Sequence, residues 1–146
     1  MIRLTKKVTA LPASDTLTLP YELRCKSRLR VSLDSGAEAA LNLERGSILR
    51  GGELLQSEDG DLVVKVVAAD EAVYDVTAAD TLSLTRVAYH LGNRHVPLQI
   101  TDGWLRLEQD TVLRDMLLGL GATVKEASAP FEPEAGAYGG GHRHDH

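Results

Sequence analysis

Val96-Pro97-Leu98-Gln99-Ile100-Thr101-Asp102-Gly103-Trp104-Leu105-Arg106-Leu107 is the stretch on which the fold of the second half turns. Apolar and polar residues alternate on either side of Asp102-Gly103, a dipeptide suited to the left-handed backbone of a tight hairpin. Immediately upstream, a helix is expected from about Asp80 to Leu91, because Leu84, Val87, Ala88 and Leu91 fall three and four apart. Asp80 is its expected N-cap and Gly92 its expected C′ stop. Before that helix, Ala72-Val73-Tyr74-Asp75-Val76-Thr77 reads as a strand. Downstream of the hairpin, Asp110 is placed to cap a second helix, with Val112, Leu113, Met116, Leu117 and Leu120 on one face and Gly119 and Gly121 closing it. Ala122-Thr123-Val124-Lys125-Glu126 is the last strand. The order β-α-β-β-α-β is that of a ferredoxin-like domain.

The first half has a different texture. Arg28-Leu29-Arg30-Val31-Ser32-Leu33 alternates with period two, and Asp61-Leu62-Val63-Val64-Lys65-Val66-Val67 reads as a strand covered on both faces over its centre. Asp34-Ser35-Gly36, Gly51-Gly52 and Glu58-Asp59-Gly60-Asp61 supply turns, and Pro12 and Pro20 fit loop or edge positions. Short strands with close turns point to a small sandwich or barrel. After Ala127 no further folding is expected: Pro130, Pro133 and a glycine-rich stretch have few large apolar residues among them, only Phe131 and Tyr138. The expected layout is an N-terminal all-β domain over 1–70, a ferredoxin-like domain over 71–128, and a flexible histidine-containing tail over 129–146.

Composition narrows the function. The chain has 146 residues, 43% hydrophobic and 25% charged, so one or two ordinary cores are expected. A formal net charge of -5 argues against a nucleic-acid binder, and 4% aromatics leaves little for base stacking. The single cysteine, Cys25, cannot close an intramolecular disulfide and fits a reducing compartment. No apolar run follows the charged N-terminus and none is long enough to span a bilayer, so a cytoplasmic location is expected. There is no H-E-x-x-H, no C-x-x-C, no phosphate loop and no nucleophile–base pair, so no enzyme is nominated.

All five histidines, His90, His95, His142, His144 and His146, lie in the second half. Gly139-Gly140-Gly141-His142-Arg143-His144-Asp145-His146 is a glycine hinge followed by alternating imidazoles, donors that suit zinc, copper and nickel. Its bland alternatives are a solvated tail without a role or a purification remnant. His95 lies in the loop Gly92-Asn93-Arg94-His95-Val96-Pro97, where a histidine is usually just polar surface. His90 falls near a helix end, where an imidazolium suits the dipole better than a ligand role. One loop histidine cannot hold a metal firmly, but two such loops joined by a two-fold axis could, with tails completing the shell. Such mobile ligands exchange stepwise, which suits a carrier better than a closed cage.

The chain also resembles a known family. Tyr89-His90-Leu91-Gly92-Asn93-Arg94-His95-Val96-Pro97-Leu98-Gln99-Ile100 is similar to the signature segment of the urease accessory protein UreE family. Val112-Leu113-Arg114-Asp115-Met116-Leu117 and the segment Pro130 to Tyr138 resemble two more of its motifs, and Lys26 to Val31 and Glu44 to Arg50 resemble its N-terminal half. The resemblance implies a nickel metallochaperone that forms a homodimer through its second domain. It implies His95 as the interface nickel ligand, and His142, His144 and His146 as tail ligands. The implied partners are a GTP-binding urease accessory protein and, through it, apo-urease. Some relatives have further histidines where this chain has Leu107-Glu108-Gln109-Asp110-Thr111, so an auxiliary site there is in doubt. Zinc and copper are possible competitors, and a general divalent-metal buffer without a urease client is the alternative function.

Overall fold

The computed structural model describes residues 1–136, and His142, His144 and His146 lie outside the described residues. It separates into two compact units, with Met1–Ala69 forming the body of one and Asp70–Glu134 the other.

In the first unit the strands are β1 (Ile2–Val8), β2 (Asp15–Leu19), β3 (Arg28–Ser32), β4 (Glu38–Asn42), β5 (Leu54–Ser57) and β6 (Val63–Ala68), with a one-turn helix α1 (Tyr21–Arg24) between β2 and β3. They form one six-stranded sheet in the order β2-β6-β5-β1-β4-β3, with the β1–β4 and β2–β6 pairs parallel. The sheet curls. Asp34, two residues beyond β3, donates its N–H to the Thr16 carbonyl (2.9 Å), and its carboxylate accepts the Thr16 and Thr18 hydroxyls at 2.6 and 2.7 Å. The two outermost strands are thereby tied at one end, as in a partly closed barrel. Inward-facing Leu4, Leu17, Leu41, Leu55, Val64 and Val66 make the core. The expected two-sided burial of Asp61–Val67 is corrected: β6 begins at Val63, and only Val64 and Val66 are buried while Lys65 and Val67 face solvent. A single curled sheet encloses one core, so even a valine-rich strand has a wet side.

The second unit contains β7 (Asp70–Thr77), α2 (Thr81–Asn93), β8 (Gln99–Thr101), β9 (Trp104–Glu108), α3 (Thr111–Gly119) and β10 (Thr123–Pro130). Its four-stranded sheet has the order β10-β7-β9-β8, every pair antiparallel. That is the split-βαβ arrangement of a ferredoxin-like fold, as the element order implies. Strand alternation puts Tyr74, Val76, Leu105, Leu107 and Val124 on one face, where Val87 and Leu91 of α2 and Leu117 of α3 cover them. Both expected N-caps are present: Asp80 accepts from Ser83 N–H, and Asp110 from Val112 and Leu113 N–H. Asp102-Gly103 makes the β8–β9 turn, with Gly103 at φ 95°. The apolar face expected of α3 is narrower than its spacing suggests, since Val112 is 64% and Leu120 41% exposed.

Two boundaries differ from expectation. β8 is only Gln99–Thr101, because Val96 is used in closing α2 and Pro97 has no N–H for a ladder. The chain also remains ordered beyond Ala127. β10 pairs with β7 through Pro130↔Asp70, and Phe131 is fully buried. This edge strand lengthens because β7 itself starts at Asp70 and offers two more partners than Ala72–Thr77 would.

Candidate metal centre

The site begins with the way α2 ends. The helix does not stop at Gly92; it continues through Asn93, with Arg94 as C-cap. The next residue, His95, has φ 56°. Its N–H donates to Gly92 O at 3.0 Å, and Val96 N–H donates to Leu91 O at 3.3 Å. These are the two hydrogen bonds of a Schellman motif with His95 at C′, the position that glycine normally fills. The flanking apolar pair belongs to one cluster, with Leu91 buried and Val96 packed against it.

α3 ends in the same motif and shows what is unusual about α2. There Gly121 N–H donates to Leu118 O at 3.0 Å and Ala122 N–H to Leu117 O at 3.1 Å, with Gly121 at φ 85°. The two helices of one domain thus close identically, one with glycine in the left-handed slot and the other with histidine. Left-handed backbone crowds a Cβ against the following carbonyl, at a cost of about 1–2 kcal/mol for most residues. Histidine tolerates the region better than most, yet less well than glycine. Strain of this kind at a single exposed residue points to a use for its side chain.

His95 is exposed, at the rim of a cleft of about 400 Å³ lined by Arg94, Val96, Pro97, Glu108, Gln109, Asp110 and Leu113. Glu108 and Asp110 are the carboxylates of this cleft, in the stretch where relatives with extra histidines were expected to differ. The Asp110 carboxylate is engaged in capping α3 through bonds of 2.9 and 3.1 Å. His90 is exposed on the last turns of α2, its ring edge-on to Tyr89 with centroids 5.4 Å apart. Among the described residues, no three histidine, cysteine or acidic side chains converge closely enough to hold a metal ion. One chain therefore places the His95 imidazole at the rim of a cleft that also holds the Glu108 and Asp110 carboxylates, with no enclosed cage among the described residues. Cys25, in the other unit, is half-buried and in no disulfide.

Sequence reading missed how the chain leaves the domain. After β10, Arg106 donates from Nη1 to Pro130 O (2.9 Å), Glu132 N–H donates to Gln99 Oε1 (2.8 Å) and Glu134 N–H donates to Leu98 O (2.8 Å). Arg106 and Gln99 pair across β8 and β9 on the face opposite the helices. Arg106 is held there by two bonds to Asp75, at 2.7 and 3.1 Å, and by the Trp104 ring at 4.7 Å. Residues 130–134 therefore strap across the sheet from the β10 edge to the start of β8. The run Pro-Phe-Glu-Pro was the available signal: two prolines favour an extended path, and a lone Phe in a polar stretch asks for a place to be buried.

No helix of the described residues is long and apolar enough to cross a membrane. Compared with known proteins, residues 71–146 match the UreE urease accessory protein C-terminal domain, and residues 3–69 match its N-terminal domain. A urease accessory protein UreE of Burkholderia thailandensis is 61% identical over 142 residues, which cover 97% of this chain and 66% of that protein. Those of Burkholderia pseudomallei (strain 1710b) and Burkholderia mallei (strain SAVP1) are each 59% identical over 138 residues, covering 94% of this chain and 68% of theirs. The chain thus spans about two thirds of the length of these relatives. Both halves match, in order, the two domains of one family, and the ferredoxin-like unit bears out the architecture its motifs implied: the chain belongs to the UreE urease accessory protein family.

Proposed function

We propose that this protein is a nickel metallochaperone that delivers Ni(II) for assembly of the urease metallocentre, and that it catalyses no reaction itself. The observation that carries the reading is His95: an exposed imidazole held in a left-handed C′ position where glycine would be less strained. His95 would meet its twin across a homodimer axis in the second domain, with His142, His144 and His146 supplying further donors. Exposed apolar side chains in that unit, Leu82, Tyr89, Ile100 and Val112 among them, support a face that a second copy covers. A site of imidazoles and carboxylates without thiolates binds nickel while leaving positions open for exchange, and zinc and copper compete for the same donors. The receiving partners are a GTP-binding urease accessory protein and the apo-urease complex, and the location is cytoplasmic.

The test is calorimetric titration of the metal-free protein with Ni²⁺, beside sedimentation analysis. The expected result is a dimer binding one ion tightly at a site abolished by His95→Ala, with fewer ions in total when the three tail histidines are replaced by alanine. Unchanged nickel binding by the His95→Ala protein would overturn the assignment. A sample that stays monomeric at every concentration would remove the shared site.

A further inference from the structure

The loop that carries His95 is fastened at both ends, and only one fastening belongs to α2. On the helix side, His95 N–H and Val96 N–H donate to Gly92 O and Leu91 O. On the sheet side the chain enters β8, an edge strand of three residues with β9 as its neighbour. So short an edge holds its own start weakly, because each residue ordered there gains ladder bonds from one side alone. Pro97 has no N–H to contribute. The bonds that secure this end come from the strap of residues 130–134. Glu134 N–H donates to Leu98 O at 2.8 Å, and Glu132 N–H to Gln99 Oε1 at 2.8 Å. Phe131 and Pro133, which alternate with these donors, are buried and anchor the strap on the sheet.

We propose that residues 130–134 position the His95 loop: by holding Leu98 and Gln99 in place they keep Val96 closed on Leu91, and so keep His95 in its left-handed conformation. The inference rests on the reading that His95 is a nickel ligand. A left-handed backbone persists at a residue other than glycine only where the surroundings over-determine it. At His95 the strain is opposed by the packing of Val96 against Leu91, and Val96 itself is only half-buried. Leu98, two residues on, is buried in the same cluster, and its carbonyl is the one that Glu134 holds. Releasing Leu98 lets Val96 lift, and the restraint on residue 95 goes with it. The imidazole then samples several directions rather than one. A donor already held in one direction meets an ion without first being ordered. Ordering equivalent to one net hydrogen bond corresponds to about fivefold in affinity. Gln99 and Phe131 are thus positioning residues, which act on the ion through the loop.

The experiment uses the full-length protein and reads two properties. One is the carbon chemical shifts of His95 in the metal-free protein, which report its left-handed backbone; the other is nickel affinity by calorimetric titration. Gln99→Ala and Phe131→Ala should each move the His95 shifts toward averaged values and weaken nickel binding, up to about fivefold. Gln99→Glu keeps an oxygen to accept the Glu132 N–H and should restore both. Asp80→Ala is the control for general damage, since it removes the N-cap at the other end of α2 and no strap contact. It should lower the melting temperature and leave both properties native. If Phe131→Ala does not fold, Gln99→Ala with its Gln99→Glu rescue carries the test. Native His95 shifts in the strap variants would overturn the proposal. So would equal losses in Asp80→Ala, or an affinity that changes while the shifts stay native. Moved shifts with native affinity would overturn the strap's role in metal capture. Nickel binding unchanged in His95→Ala would overturn the reading of His95 as a ligand, while the shifts still decide whether the strap holds the loop.

Discussion

Replacing His95 by glycine is expected to stabilise the protein and to remove the proposed nickel site at the same time. The stability part follows from backbone geometry. His95 sits at φ 56° at the C′ position of α2, where a side chain other than glycine costs about 1–2 kcal/mol. Histidine is among the residues that tolerate the region, which puts its cost near the lower figure. Glycine also loosens the unfolded chain, which offsets about 0.4–1 kcal/mol. The net gain is then between zero and about 0.6 kcal/mol, or at most roughly 2–5 °C in Tm for a domain of this size. The assay is differential scanning calorimetry of chelator-treated protein, paired with nickel titration of the same sample. Two controls flank it. Gly121→Ala, the mirror substitution at the end of α3 where φ is 85°, should lower stability by about 1 kcal/mol or more. Gly92→Ala should raise it by about 0.5–1 kcal/mol, since Gly92 lies inside α2 and a Cβ there meets nothing within 4 Å. A destabilised His95→Gly protein, or a destabilised Gly92→Ala protein, would refute the assignment of the left-handed cap to residue 95. Retained tight nickel binding in His95→Gly would refute the use of its side chain.

Other outcomes follow from the same geometry. Asp75→Ala strips Arg106 of both carboxylate bonds while the arginine side chain remains only 13% exposed, and should cost about 2 kcal/mol in chemical denaturation. Leu117→Ala, in the core between α3 and the sheet, should cost about 3 kcal/mol. Asp80 and Asp34 are held below the usual carboxylate range, Asp80 by the Ser83 N–H and Asp34 by the Thr16 and Thr18 hydroxyls. Lowered folded values mean that their contribution is complete above the unfolded value of about 3.9 and is lost as pH falls through the folded one. Acid melts should therefore show stability falling below about pH 4, and Asp80→Asn should flatten that fall. Nickel affinity should drop earlier, between about pH 7 and 5, because protonated imidazole cannot ligate. An affinity flat across that range would argue for carboxylate rather than histidine ligation.

Much of this molecule was legible before any coordinates. Period-two alternation around Asp102-Gly103 named the hairpin, the spacing of Leu84, Val87, Ala88 and Leu91 named the buried face of α2, and Asp80 and Asp110 named both helix starts. These are local signals, set by side-chain periodicity and by a carboxylate within reach of the next turn's N–H groups, so the chain determined them alone.

The tertiary structure decided where each signal stopped. Gly92 and His95 both lie near the end of α2, and glycine is the better C′ residue by propensity. The fold overrides it because stopping at Arg94 lets Val96 close on Leu91 within the core, which outweighs the strain placed on His95. The strap was equally hidden, since its bonds join residues 24 and 33 apart in sequence, Arg106 to Pro130 and Gln99 to Glu132. Contacts of that separation exist only once the sheet has brought β8 and β9 under the departing chain. Residue type thus determined which side-chain donors the chain carries, while packing determined the backbone angle at His95, the cleft beside it and the path of residues 130–134.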